Sequence, residues 1–142
     1  MNNRSPYGGK KMKVGECNLV DARTCKKEDS VKDIAITMKD KKVRHIFVID
    51  ENEYPVGIIS TTDMTNKVVA DAMDANSTKA ENVMTSPLDV CDINDDLVTV
   101  YMNMSENNRL SCPVVEEGKL KGLLIFREAF KEVMKLKKGG TL

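Results

Sequence analysis

The stretch Val56-Gly57-Ile58-Ile59-Ser60-Thr61-Thr62-Asp63 predicts a β-strand that runs directly into a helix. A helix start exposes free backbone N–H groups and the positive end of the helix dipole, which favour an anion. The hydroxyl groups at this junction can reach phosphate oxygens, and Asp63 can accept hydrogen bonds from a ribose diol. The Ser60-x-x-Asp63 pattern also fits a capping box, so these residues alone do not separate a ligand site from a helix cap.

The composition restricts the classes of protein to which this chain can belong. Of 142 residues, 41% are apolar, and 22 basic side chains balance 22 acidic ones, which argues against nucleic acid as a partner. No apolar run approaches the roughly 20 residues of a membrane span, and the N-terminus has no apolar signal core, so we expect a cytoplasmic protein without a membrane anchor. The four cysteines form no C-x-x-C pair and the chain has one histidine, so we expect reduced, buried thiols and no metal site.

An altered copy of the first half of the chain follows in the second half. Strand, helix, strand, strand and helix are predicted over residues 24–73, and the same order recurs over residues 88–136. Either half alone is too small to bury a stable core, so we expect the two halves to pack as a pair. Equivalent positions lie 66 residues apart for Cys25 and Cys91, Asp29 and Asp95, Met38 and Met104, and Val48 and Val114, and 65 apart for Gly57 and Gly122.

These patterns predict an α+β fold, a sandwich of α/β type in which two βαββα repeats pack around a pseudo-two-fold axis. The helix after Asp63 is predicted to end near Met73, and a short strand is predicted over Leu88–Cys91. The predicted helix caps are Asp29 or Ser30 in the first copy and Asp95 or Asp96 in the second. The predicted segments are a flexible N-terminal arm at residues 1–12, repeat 1 at 13–74, a linker at 75–82, repeat 2 at 83–137 and a C-terminal tail at 138–142.

The repeats resemble a tandem pair of CBS domains, the family named for cystathionine β-synthase, which is also called a Bateman module. The resemblance covers roughly residues 14–136 and rests on the order and spacing of three motifs. These motifs are Val83-Met84-Thr85, Cys112-Pro113-Val114-Val115 and Gly57-Ile58-Ile59-Ser60-x-x-Asp63. The first repeat departs from the family pattern at its start, where Val14-Gly15-Glu16-Cys17 stands in place of a Val-Met-Thr.

This resemblance implies two clefts between the repeats that bind adenosine-containing ligands: AMP, ADP, ATP or S-adenosylmethionine. By position, Ser60 and Thr61 would hold phosphate, and Asp63 would hold the ribose diol. The second copy has Ile125 and Glu128 at the positions of Ser60 and Asp63, so we expect one competent cleft. The predicted adenine contacts are Thr85, Pro87, Leu88, Ser111, Cys112 and Pro113, with His45 near the polar end of the ligand, and each of these residues is also compatible with a core or turn role.

No residues in the sequence form a catalytic constellation, because a general base or nucleophile needs an orienting partner and His45 is the single histidine. We therefore expect a regulatory binding module. The resemblance implies that it forms a homodimer, and we expect it to act on a separate protein target, which the sequence does not identify. The alternative is an adaptor that dimerises without a ligand. Thiol-based redox sensing is a further hypothesis, based on the equivalent positions of Cys25 and Cys91.

Overall fold

The structure is a computed structural model that describes residues 11–139. Within this range it has a mixed α/β fold with two three-stranded sheets, which confirms the predicted fold class. The elements are a 3₁₀ turn (Val14–Glu16), β1 (Thr24–Lys26), α1 (Val31–Lys41), β2 (His45–Ile49), β3 (Pro55–Ser60), α2 (Thr61–Asp63) with a π-helical continuation (Met64–Val69), α3 (Ala80–Val83), β4 (Cys91–Asp92), α4 (Leu97–Glu106), β5 (Ser111–Glu116), β6 (Lys119–Ile125) and α5 (Phe126–Gly139).

The described chain divides into two compact units that do not coincide with the two repeats. The first unit consists of Ala22–Leu88 and Gly118–Leu120. The second unit consists of residues 11–21, Asp89–Glu117 and residues 121–139. Most of the predicted arm (residues 1–10) and the end of the predicted tail (residues 140–142) lie outside the described residues.

The first unit is built on the sheet β1-β2-β3, in which β1 is parallel and β3 antiparallel to β2. Helix α1 begins after Ser30, whose hydroxyl accepts a hydrogen bond from the Asp33 N–H, and it ends at Lys42 in the left-handed conformation. Its buried face repeats every three to four residues and packs into the core of the unit, where each fully buried side chain contributes about 1.5–3 kcal/mol. The core includes Val31, Ile34 and Met38 of α1 with Ile46, Val48 and Ile59 of the sheet.

The second unit repeats this construction on the sheet β4-β5-β6. Cys91 pairs with Val114 just as Cys25 pairs with Val48 in the first unit, so residues 66 apart in sequence occupy equivalent positions in the two sheets. Helix α4 is capped by Asp96, one of the two residues predicted for this role. The core includes Cys91, Leu97, Met104, Cys112, Val114 and Leu124.

The first residues of each repeat belong to the unit that contains the sheet of the other repeat. Val20, near the start of repeat 1, exchanges two backbone hydrogen bonds with Leu123 of β6. Thr85, near the start of repeat 2, does the same with Ile58 of β3. We call these the lead-in segments, residues 13–20 and 80–88. Each unit therefore contains the sheet of one repeat and the lead-in segment of the other.

The lead-in pairing corrects the sequence interpretation of the first repeat. The Val14 N–H donates to the Asp95 carbonyl, as the Ala80 N–H donates to that of Asp29, so Val14–Glu16 corresponds to the start of α3. The counterpart of Val83-Met84-Thr85 is therefore Asn18-Leu19-Val20. The expectation that Val14-Gly15-Glu16-Cys17 occupies this place was wrong, because Val14 begins the preceding 3₁₀ turn and lies four residues before Asn18.

Two further local predictions differ from the structure. The helix after Asp63 does not reach Met73 as regular α-helix, since its π-helical part ends at Val69 and turns follow. The short strand lies at Cys91–Asp92 and not at Leu88–Cys91. Residues 75–82, predicted as a linker, contact the start of α1, where the Ala75 and Thr78 carbonyls accept backbone hydrogen bonds.

Candidate functional site

Ser60 and Asp63 form a reciprocal pair at the junction of β3 and α2 in the first unit. The Asp63 N–H donates to the Ser60 hydroxyl at 3.1 Å. In return, Asp63 Oδ2 accepts from the Ser60 N–H at 2.8 Å and from its hydroxyl at 3.1 Å. This is a complete capping box, so the cap that the sequence suggested is formed.

The second carboxylate oxygen of Asp63 lies beside a cation. Asp63 Oδ1 is 3.3 Å from Lys67 Nζ, one helical turn further along the chain. The same ammonium group donates to the Val83 carbonyl oxygen at 2.8 Å. Lys67 thus connects the carboxylate with the lead-in segment that carries Thr85. Sequence reasoning missed Lys67, although its spacing of four residues from an acid on a helix was a usable signal.

His45 and Thr61 lie next to Ser60. His45 opens β2 and is the register partner of Ser60 across the antiparallel pair, with an exposed side chain. Thr61 is exposed at the first position of α2, and its N–H donates to the Arg44 carbonyl at 3.0 Å. The structure therefore brings together His45, Ser60, Thr61 and Asp63, four of the residues predicted from the sequence.

Thr85 extends the edge of the same sheet. Its N–H donates to the Ile58 carbonyl at 2.8 Å, and the Ile58 N–H donates to the Thr85 carbonyl at 3.0 Å. Thr85 and Pro87 are exposed and Leu88 is half-buried. Thr85 thus lies beside the strand that ends in Ser60, while the adenine contacts predicted for Pro87 and Leu88 stay predictions.

The second unit has one backbone contact in common with this junction and different side chains. The Phe126 N–H donates to the Leu110 carbonyl at 2.8 Å, as the Thr61 N–H donates to that of Arg44. Ile125 provides no hydroxyl at the position of Ser60, and the Glu128 carboxylate contacts Lys131. The helices that follow also differ, since α5 is a regular α-helix whereas α2 continues as a π-helix.

The other three predicted adenine contacts belong to β5 in the second unit. Ser111 is half-buried, whereas Cys112 and Pro113 are buried. The thiol of Cys112 contacts Cys91 and lies in the core of the unit. Their predicted role towards a ligand stays a prediction.

Two stretches of the chain, residues 14–70 and 80–135, match the family model of the CBS domain. The chain belongs to the CBS-domain family. The two matches begin at the two helical turns that open the lead-in segments, Val14–Glu16 and Ala80–Val83. The junction after β3 is thus a feature of the first CBS domain, and the junction after β6 is its counterpart in the second.

Proteins and structures similar to this CBS pair agree with the assignment. An uncharacterized protein of Methanopyrus kandleri is 23% identical over 81% of the chain, and a homoserine O-acetyltransferase of Methanobrevibacter ruminantium is 28% identical over 73%. The chain spans 59% and 20% of the lengths of these relatives. A CBS domain protein from Pyrobaculum aerophilum, solved in complex with AMP, has a TM-score of 0.68 at 19% identity and covers 87% of this chain, which covers 99% of it.

No helix within residues 11–139 combines the length and the apolar character that crossing a membrane requires.

Proposed function

We propose that this CBS pair is a regulatory module that binds an adenosine-containing ligand at the junction of β3 and α2 in the first unit. Asp63 accepts hydrogen bonds from the ribose diol, and Ser60, Thr61 and Lys67 face the phosphate or other polar end of the ligand. Candidate ligands are AMP, ADP, ATP and S-adenosylmethionine. The AMP bound to the similar protein of Pyrobaculum aerophilum supports this ligand class.

The single observation that carries the proposal is the clustering of complementary groups within one helical turn. The Asp63 side chain is 15% exposed and the Lys67 side chain 37% exposed, and two hydroxyl side chains lie at the same helix start. The carboxylate suits a diol, and the ammonium group and hydroxyls suit an anion. The junction in the second unit lacks this set of side chains, which supports one such site in the first unit.

The alternative function, a dimerising adaptor without a ligand, also has a structural argument. Both oxygens of Asp63 already have partners, Ser60 on one side and Lys67 on the other. The capping box and the partly exposed ion pair give Ser60, Asp63 and Lys67 roles in the folded chain that need no ligand. However, each carboxylate oxygen can accept more than one hydrogen bond, so these contacts leave capacity for a diol.

Thermal melting with a panel of ligands distinguishes the two functions. AMP, ADP, ATP and S-adenosylmethionine are each added to the wild type and to Asp63→Ala. A ligand at a hundredfold excess over its Kd adds about 2.7 kcal/mol to the free energy of unfolding. A stabilisation seen in the wild type and lost in Asp63→Ala supports the binding module. The absence of any shift across the panel supports the adaptor.

The ligand-induced shift is the quantity to compare, because Asp63→Ala also removes part of a helix cap and lowers the stability of the free protein. Asp96→Ala provides a control, since Asp96 caps α4 in the second unit through the Thr99 N–H. We expect this variant to melt at a lower temperature and to keep the full ligand-induced shift.

The homodimer that the resemblance implies and the separate protein target stay predictions.

A further inference from the structure

The second unit contains a pair of buried thiols that the proposed function does not use. Cys91 on β4 and Cys112 on β5 have their Sγ atoms 3.5 Å apart. Each residue is 5% exposed, and each sulfur is 3.7 Å from the Pro113 carbonyl oxygen. The two sulfurs are therefore in contact across neighbouring parallel strands.

The first unit has the same backbone pairing and a different side chain at the second position. Cys25 corresponds to Cys91, and both pair with a valine of the central strand, Val48 or Val114. Two residues before that valine, the first unit has the buried Ile46 where the second has Cys112. The pairing of two thiols is thus a property of the second unit, and Cys25 is an internal control for it.

The surroundings of the two sulfurs make them chemically unequal. The two thiols are hydrogen-bonded to each other, and this contact shifts their pKa values in opposite directions. It has the largest effect on Cys112 and lowers its pKa, and the charge of Arg109 acts in the same direction against the effect of burial. The hydrogen bond with Cys112 and burial raise the pKa of Cys91. Arg109 is fixed by an ion pair with Asp89. Cys112 is therefore the more acidic of the two thiols.

We propose that Cys91 and Cys112 form a reversible disulfide when a peroxide reaches them. The Cys112 thiolate attacks one peroxide oxygen, the O–O bond breaks, and the leaving hydroxide takes the proton of Cys91 to become water. The Cys91 sulfur then attacks the sulfenic acid on Cys112, forms the S–S bond and displaces hydroxide, which takes a solvent proton. Two thiols lose two electrons, and hydrogen peroxide is reduced to two waters.

The edge position of β4 provides the route for the oxidant. This strand has two residues and lies at the edge of its sheet, and residues 88–90 before it form neither helix nor strand. Short edge elements with few hydrogen bonds open locally at low cost in free energy. Within the described residues, no group of three or more His, Cys, Asp or Glu side chains is placed to hold a metal ion. The thiol pair is therefore assigned to oxidation and not to metal binding.

The proposal is tested by treating the native protein with hydrogen peroxide, blocking the remaining thiols with N-ethylmaleimide and mapping the peptides by mass spectrometry. The expected result is a fall from four free thiols to two and a cross-linked peptide that contains Cys91 and Cys112. The loss is reversed by dithiothreitol. Four remaining thiols, a cross-link through Cys17 or Cys25, or accumulation of sulfinic acid on Cys112 without a cross-link would each overturn the proposal.

Two variants make the assignment specific. Cys25→Ser keeps the thiol pair and is expected to lose two thiols to the cross-link as the wild type does. Cys91→Ser removes one partner and is expected to give sulfenic acid on Cys112, which dimedone traps, with no intramolecular cross-link. Because the decisive peptide comes from the wild type, the test does not depend on the folding of either variant.

Discussion

Thr85 and Ile58 exchange two backbone hydrogen bonds, and this exchange attaches the lead-in segment of repeat 2 to the sheet of repeat 1. The attachment places the Val83 carbonyl within reach of Lys67, which also contacts Asp63. The polar site at the end of β3 is therefore assembled from two parts of the chain. A change in the lead-in segment would alter this site without touching Ser60 or Asp63.

Replacement of Ser60 by alanine tests its role with a closely matched control. Ser30 caps α1 through its hydroxyl and the Asp33 N–H at 3.1 Å, the same distance as between the Ser60 hydroxyl and the Asp63 N–H. Both Ser60→Ala and Ser30→Ala should lower the free energy of unfolding by about 1 kcal/mol. Only Ser60→Ala should also reduce the stabilisation by an adenosine ligand, measured by urea denaturation. An equal reduction in both variants would mean that Ser60 acts only as a cap.

Gly57→Ala is expected to destabilise the first unit because the added methyl group has no space. A Cβ at this position would lie 2.4 Å from Met84 Sδ and 3.0 Å from Met84 Cβ. Overpacking of this kind costs about 1–3 kcal/mol. Chemical denaturation of Gly57→Ala, Met84→Ala and the double variant should give a double-variant loss smaller than the sum of the single losses. Additive losses would show that Met84 is not the source of the clash.

Gly122→Ala in the second unit should be more costly than Gly57→Ala. Its Cβ would lie 2.9 Å from the Val20 carbonyl oxygen, which is backbone held by the pairing with Leu123. The flexible end of Met84 can move aside, whereas this carbonyl cannot move without loss of the bridge. The same denaturation experiment measures both variants. A smaller loss for Gly122→Ala than for Gly57→Ala would contradict this ranking.

The buried thiol of Cys25 predicts how stability depends on pH in the alkaline range. Burial, assisted by Asp29, raises its pKa from 9.0 to about 12. Above pH 9 the unfolded state loses this proton while the folded state keeps it, so the unfolded state binds fewer protons and stability falls as pH rises. The contribution of this thiol falls by about 1.4 kcal/mol per pH unit until the folded pKa is reached. The wild type should therefore lose more stability than Cys25→Ala between about pH 8 and about pH 10, and equal losses in urea denaturation would contradict the burial argument.

A second ligand site should be obtainable by changing two side chains in the second unit. Ile125→Ser and Glu128→Asp together give the second unit the Ser60-x-x-Asp63 pattern, at a junction that already has the corresponding backbone hydrogen bond. This prediction rests on the proposed function, and we expect isothermal titration calorimetry to show a higher stoichiometry for the double variant than for the wild type. Ile125→Ala with Glu128→Ala is the control, since it removes the isoleucine without adding a hydroxyl. An unchanged stoichiometry in the first variant would show that the junction motif is not sufficient for binding.

The fold could be predicted from local patterns, because the order of the elements and the repeat follow from the periodicity of the apolar residues. Cys25 and Cys91 lie at equivalent positions of β1 and β4, as the repeat predicted, whereas their pairing with Val48 and Val114 was not predicted. The caps at Ser30 and Asp96 were each among the predicted alternatives. His45, Thr61 and Asp63, which lie around Ser60, were also predicted. Thr61 and Asp63 follow Ser60 closely in sequence, and His45 is its partner across one hairpin.

The features that could not be predicted depend on contacts between distant parts of the chain. The contact between Cys91 and Cys112 joins residues on neighbouring strands that no short motif relates. The place of Val20 beside Leu123 depends on the turn at Val14–Glu16 that precedes it. Such features are fixed by tertiary pairing, which hydrophobic periodicity does not encode.

The distribution of the lead-in segments has a consequence for synthesis on the ribosome. The chain emerges from its N-terminus, so nearly all of the first unit is available once Leu88 has left the exit tunnel. Residues 11–21 of the second unit are made before it, and their partners at Asp89–Glu117 and residues 121–139 are made after it. Domains fold as their segments appear. The first unit should therefore be folded while residues 11–21 still lack the segments that they contact in the second unit. Residues 11–21 are thus synthesised before the first unit and reach their native contacts after it.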